Sequence, residues 1–171
     1  MKIKGYVHKY GSDVNTDVII PARYLTLPSV QEMKAHCMED IDPAFAGKVR
    51  LGDIIVAGRN FGSGSSREHA AIVIKAHGIS CIIAESFSRI FYRNAINIGL
   101  PVLTCRRAAE KAVEEDLLDV NLAGGIITNL SRDETYTAES IPDFVIEMIQ
   151  CGGLNNAVRI RLREEKSEES S

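Results

Sequence analysis

An apolar run, Asp53-Ile54-Ile55-Val56-Ala57, leads straight into Gly58-Arg59-Asn60-Phe61-Gly62-Ser63-Gly64-Ser65-Ser66, a stretch dense in glycine and serine. From Arg67 to His77 apolar residues then recur at helical spacing, and Gly78 stands where a helix would stop. Ile79 to Ala84 is apolar throughout, the pattern of a strand buried on both faces. Strand, glycine loop, helix and strand in that order make a βαβ unit, which commits the middle of the chain to a sheet with a parallel component.

The flanks extend this core. Ile3 to His8 reads as a first strand, followed by the turn chemistry of Ser12-Asp13-Val14-Asn15-Thr16-Asp17. Ser29 to Met38 has helical composition with Ser29 as its cap, and Asp42-Pro43 opens a further short helix. Ser86 to Ile98 is predicted as a helix closed by Gly99 and Pro101, then a strand over Pro101 to Thr104 and a helix over Arg106 to Glu115. Leu117 to Leu122, Ile126 to Leu130 and Thr135 to Ala138 are separated by turn residues and read as an antiparallel meander. Pro142 to Gln150 closes the fold as a helix. From Arg163 onward, glutamates among serines offer nothing to bury, so residues 163–171 are expected to form an acidic, disordered tail behind a single domain over residues 1–162.

Composition removes several function classes. A net charge of −3 provides no basic field to collect nucleic acid or an anionic membrane. No apolar run reaches the roughly 18 residues of a bilayer span, and the Met1-Lys2-Ile3-Lys4 start lacks a signal-peptide core, so a cytoplasmic location is expected. Cys37, Cys81, Cys105 and Cys151 stand far apart, without the paired spacing that clamps zinc or an iron–sulfur cluster. No metal site is expected on this chain.

The chemistry concentrates in the glycine–serine loop. At a strand-to-helix junction, Gly62, Ser63 and Gly64 allow a sharp turn that directs backbone N–H groups at an anion. Ser65 and Glu68 have capping-box spacing, and Arg67 adds a positive fork suited to a carboxylate. Ser66 is an alternative cap that would release Ser65. A phosphate loop would need a lysine that is absent, a dinucleotide loop would need glycine at Arg67, and no G-x-S-x-G elbow exists.

Gly58 to Ala70 resembles the signature of the swivelling domain of the aconitase superfamily, and Asn15 to Leu25 resembles its N-terminal signature. Ser86-Phe87-Ser88-Arg89-Ile90-Phe91-Tyr92-Arg93-Asn94 followed by Gly99-Leu100-Pro101 is similar to a third segment of that domain. The length matches the free-standing small subunits of 3-isopropylmalate dehydratase and homoaconitase. The resemblance implies an α/β fold, a swivelling β/β/α domain with a mixed, partly parallel central sheet flanked by helices. It implies a hydro-lyase, active only with a large subunit that carries a 4Fe–4S cluster, and acting on a small dicarboxylate. By the same resemblance Ser65 is the base that removes a proton beside a carboxylate, while Ser66 and Arg67 bind substrate carboxylate.

Asp17 and Arg23 are the next polar candidates, Arg23 as a carboxylate or loop anchor and Asp17 as its orienting partner. Thr26 and Leu27 occupy the segment that resembles the substrate-selecting loop, where homoaconitase-type subunits carry an arginine. An unpaired carboxylate buried there would cost several kcal/mol, so an apolar substituent and 3-isopropylmalate, a step of leucine biosynthesis, are favoured. The alternatives are a homoaconitase, a 2,3-dimethylmalate dehydratase, or a domain that binds a carboxylate or partner without turnover.

Overall fold

The computed structural model describes the backbone of residues 1–168 and the side chains of residues 1–163. Strand β1 (Lys2–Lys9) lies at the centre of a seven-stranded sheet, with β2 (Ile54–Ala57), β3 (Cys81–Ala84) and β4 (Val102–Thr104) on one side. On its other side are β5 (Leu117–Asn121), β6 (Ile126–Asn129) and β7 (Glu134–Thr137). The order is β4-β3-β2-β1-β5-β6-β7. All pairings from β1 to β4 are parallel, and all pairings from β1 through β5 to β7 are antiparallel. Strand β1 serves both halves, since Val7 to Lys9 register with β2 and Lys2 to Tyr6 with β5. The expected mixed, partly parallel sheet flanked by helices is the observed one.

Burial explains the division. Every residue of β2 and β3 is buried, as a sheet covered on both faces requires, whereas β5 alternates between buried and half-buried positions. The meander can therefore keep one face toward solvent. At the seam, His8 Nε2 lies 2.8 Å from Asp53 Oδ2, and Asp53 also accepts the N–H groups of Tyr6 and Arg50. The pair is buried and fastens β1 to the entry of β2.

The short helices α1 (Thr16–Ile19), α2 (Val30–Lys34) and α3 (Phe45–Lys48) fill the connection from β1 to β2. Helix α4 (His69–Ala76) crosses from β2 to β3, and α5 (Arg89–Asn97) from β3 to β4. Helix α6 (Arg106–Lys111) precedes the meander, and α7 (Asp143–Gln150) and α8 (Leu154–Glu168) end the described chain.

Three sequence expectations need correction. Helix α4 begins at His69 instead of Arg67, so Ser63 to Arg67 form an extended loop. Helix α2 stops at Lys34, four residues before Met38, whose positive φ of 62° no helix accepts. Residues 163–168, expected as a disordered tail, continue α8. Charge count favours disorder, but the Arg, Glu and Lys of this segment are strong helix formers, and that propensity prevails here. Residues 169–171 of the expected tail lie outside the described residues.

Candidate functional site

The site is built where β2 ends. Gly62 has φ +76°, and a Cβ there would lie 2.1 Å from Phe91 Cγ, so only glycine lets the loop press against α5. The floor beneath is aromatic: Phe61 meets Phe91 edge-on at 5.2 Å, and Phe87 stacks parallel to Phe91. Polar ties fix the loop from both sides. Gly62 N–H donates to Val14 O at 2.7 Å and Thr16 N–H to Ser63 O at 2.8 Å. The Ser88 hydroxyl donates to Gly62 O at 2.6 Å, and the Asn94 amide to Ser66 O at 3.3 Å.

These ties bring two distant sequence segments together. Asn15 caps α1 by accepting from Asp17 and Val18 N–H, which places Thr16 at the first helical position with its hydroxyl facing the loop. Thr16 is buried, yet its Oγ1 accepts from Ser65 N–H at 3.1 Å and lies 3.3 Å from Ser65 Oγ and 3.4 Å from Ser65 O. One residue later, Asp17 Oδ1 accepts from Arg67 Nη1. Ser65 and Ser66 are exposed and Arg67 half-buried, so the reactive side chains stand on one wall open to solvent. The N–H groups of Gly64, Ser66 and Arg67 donate to no protein acceptor among the described residues. A wall with free N–H groups, two hydroxyls and a guanidinium is suited to holding carboxylates and accepting a proton nearby.

The expected capping box does not form. Glu68, not Ser65, occupies the cap position of α4, and no side chain closes that end. The Ser65 hydroxyl is thereby free of the helix, and Ser66 does not cap either. The expected partnership of Asp17 with Arg23 is also absent. Arg23 instead donates to Glu39 at 2.7 Å and Asp40 at 2.6 Å and covers the Tyr24 ring at 4.7 Å. Asp40 first, then Tyr24 and Glu39, raise the pKa of that guanidinium. Tyr24 in turn stacks on His36 at 3.6 Å, so Arg23 acts within a stack that anchors the segment leading to Thr26 and Leu27. Charge chemistry decides the exchange: Glu39 and Asp40 give Arg23 two carboxylates, and Asp17 is left to Arg67. Thr26 is exposed, while Leu27 is half-buried and packs against the core. No hydrogen bond or ion pair joins this second group to the Ser65 loop among the described residues.

Sequence reasoning passed over Thr16, Ser88 and Asn94. Thr16 sat inside a turn-forming stretch, and the available signal was its place between the cap Asn15 and the acid Asp17. Among the described residues no group of three His, Cys, Asp or Glu side chains is placed to hold a metal ion, and Cys37, Cys81 and Cys105 are buried. No described helix is long and apolar enough to cross a membrane.

Comparison with known proteins gives consistent results. The family model for the aconitase C-terminal domain matches residues 22–108. The 3-isopropylmalate dehydratase small subunit of Brachyspira hyodysenteriae is 56% identical over 159 residues, covering 93% of this chain and 98% of that protein. That of Heliobacterium modesticaldum is 54% identical over 166 residues, covering 97% and 100%. A crystal structure of 3-isopropylmalate dehydratase from Methanocaldococcus jannaschii superposes with a TM-score of 0.93 at 42% identity, covering 98% of this chain and 99% of that one.

Proposed function

The chain belongs to the family of 3-isopropylmalate dehydratase small subunits, built on the aconitase C-terminal domain, and on that premise we propose that it forms the proton-abstracting wall of a two-subunit hydro-lyase. The relatives are small subunits by name, and the reading pairs this chain with a large subunit. Together they interconvert 3-isopropylmalate and 2-isopropylmalate by removing water and returning it at the neighbouring carbon, in leucine biosynthesis. On this reading the Lewis acidity for the departing hydroxyl would come from a 4Fe–4S cluster held by the large subunit, and not from residues of this chain.

The observation that carries the reading is the meeting of Ser65 with the buried Thr16 hydroxyl, next to the Arg67–Asp17 pair. Ser65 Oγ takes the proton from the carbon beside a carboxylate, and the C–H electron pair becomes the new double bond. A serine hydroxyl is a weak acid, so its alkoxide depends on nearby donors and positive charge. Arg67 keeps most of its N–H donors free after binding Asp17 and holds a substrate carboxylate, joined by Ser66 and the free N–H groups of the loop. Arg23 anchors the segment that carries Thr26 and Leu27, which face the substrate's apolar substituent.

The test is reconstitution. The chain mixed with its large subunit should turn over 3-isopropylmalate, while the chain alone should not. Ser65→Ala in the same assembly should keep substrate binding and lose most of kcat, because the base acts only on the way to the transition state. Turnover by the chain alone, or an unchanged kcat in Ser65→Ala, overturns the reading.

A further inference from the structure

We propose that Thr16 is a positioning residue that activates Ser65, its hydroxyl proton hydrogen-bonding to the Ser65 alkoxide; the inference rests on Ser65 being the base. Three distances carry it: 3.1 Å from Ser65 N, 3.3 Å from Ser65 Oγ and 3.4 Å from Ser65 O, all to the one atom Thr16 Oγ1. Since that oxygen accepts the Ser65 N–H, its single proton remains to be given, and both acceptors within reach belong to Ser65. While Ser65 is neutral the two acceptors compete. Once Ser65 is an alkoxide, the charged oxygen is the stronger acceptor and captures the proton.

The surroundings favour this role over a structural one. Asn15 already caps α1, so the Thr16 side chain is not needed for the helix, and the Thr16 backbone N–H is spent on Ser63 O. Thr16 is 1% exposed, so water competes little for its hydroxyl. Threonine branching restricts the side-chain torsion, which keeps the hydroxyl on Ser65. Gly64 makes the approach possible, because a Cβ there would stand 3.2 Å from Thr16 Oγ1. Thr16 transfers no proton to substrate; it lowers the cost of removing one from Ser65.

The experiment compares Thr16→Val and Thr16→Ser in the assembled enzyme, with kcat, KM and the pH dependence of kcat measured for each. A hydrogen bond to a charged acceptor corresponds to roughly 10- to 150-fold in rate, and Thr16→Val should lose that much kcat with little change in KM. The alkoxide becomes harder to form, so the rising limb of the pH profile should move up by about one to two pH units. Thr16→Ser should restore most of the rate and return the limb. An unchanged profile in Thr16→Val overturns the proposal. So does a rate loss without a pH shift that serine fails to rescue, which would mark Thr16 as packing only. An active Ser65→Ala assembly, by contrast, removes the base assignment itself and is read independently of Thr16.

Discussion

Asp17 and Arg67, fifty residues apart in the chain, are joined side chain to side chain through Arg67 Nη1 and Asp17 Oδ1. The pair couples the N-terminal signature to the loop after β2, and it sets the direction of the guanidinium on the open wall. Thr16, immediately before Asp17, reaches Ser65 in the same loop. One turn of chain therefore positions both the proposed base and the proposed carboxylate binder.

Arg67→Lys should chiefly raise KM for 3-isopropylmalate in the assembled enzyme, because an ammonium cannot hold Asp17 and present a bidentate fork to substrate at once. Asp17→Asn keeps the size of the side chain but removes its charge, and should raise KM by less, with kcat held. Steady-state kinetics of both variants checks this. An unchanged KM in Arg67→Lys would confine Arg67 to tying the loop to Asp17, without contact to substrate.

Gly62 and Gly64 differ in what a methyl group would meet, and the difference separates stability from activity. Gly62→Ala places a Cβ 2.1 Å from Phe91 Cγ at a φ of +76°. Backbone strain and overpacking together should cost about 2–5 kcal/mol, a fall in Tm of roughly 5–15 °C. At Gly64 the contact is Thr16 Oγ1 at 3.2 Å, at a φ of +95°. Gly64→Ala should therefore lose less stability and more kcat. Thermal unfolding of the two variants, set beside their reconstituted activity, is the check, and equal losses on both scales would contradict the division.

Much of the framework was legible in the chain because each element declared itself locally. The fully apolar Ile54–Ala57 and Cys81–Ala84 runs announced buried parallel strands, and the turn residues between Asn121 and Glu134 announced the meander. The glycine–serine loop was visible as a site for the same reason, since its residue types have no comparable structural use together. What was not legible depends on long-range partners. No local rule says that Asp17 chooses Arg67 while Arg23 finds Glu39 and Asp40. Ser65 and Glu68 have capping-box spacing, but the hold of Asn94, Ser88 and Thr16 on the loop delays the helix to His69.

Asp116 gives the fold an acid-sensitive fastening in its antiparallel half. Asp116 is 6% exposed, and its carboxylate accepts from Val113 N–H, the Asn129 amide and Arg132 Nε. Burial is the largest influence and pushes its pKa up, but the combined donors and the Arg132 charge outweigh it and hold the carboxyl below its usual range. A depressed native pKa means stabilisation that is present above the unfolded carboxylate range and is lost as pH falls through the native value. Asp116→Asn should cost about 1–3 kcal/mol near neutral pH. Urea midpoints of the variant and the parent should converge toward acid, and a constant gap across pH would refute the assignment.

Substrate choice is the sharpest contrast that the Thr26-Leu27 segment offers. Thr26 is exposed, so an arginine there disturbs no core packing, while Leu27 is half-buried with its side chain against the core. The Arg23, Tyr24 and His36 stack with Glu39 and Asp40 fixes the base of the segment, so a change at Thr26 alters chemistry at the tip without freeing the loop. In the assembled enzyme Thr26→Arg should lower kcat/KM for 3-isopropylmalate modestly, within the 10- to 200-fold that a small apolar contact is worth. The same variant should raise kcat/KM for homoisocitrate, whose extra carboxylate gains a cation where it previously met none. Both changes must occur together, since a loss on one substrate alone would reflect general damage. If neither ratio moves, Thr26 does not face the substituent, and selection against a third carboxylate lies elsewhere in the assembled site.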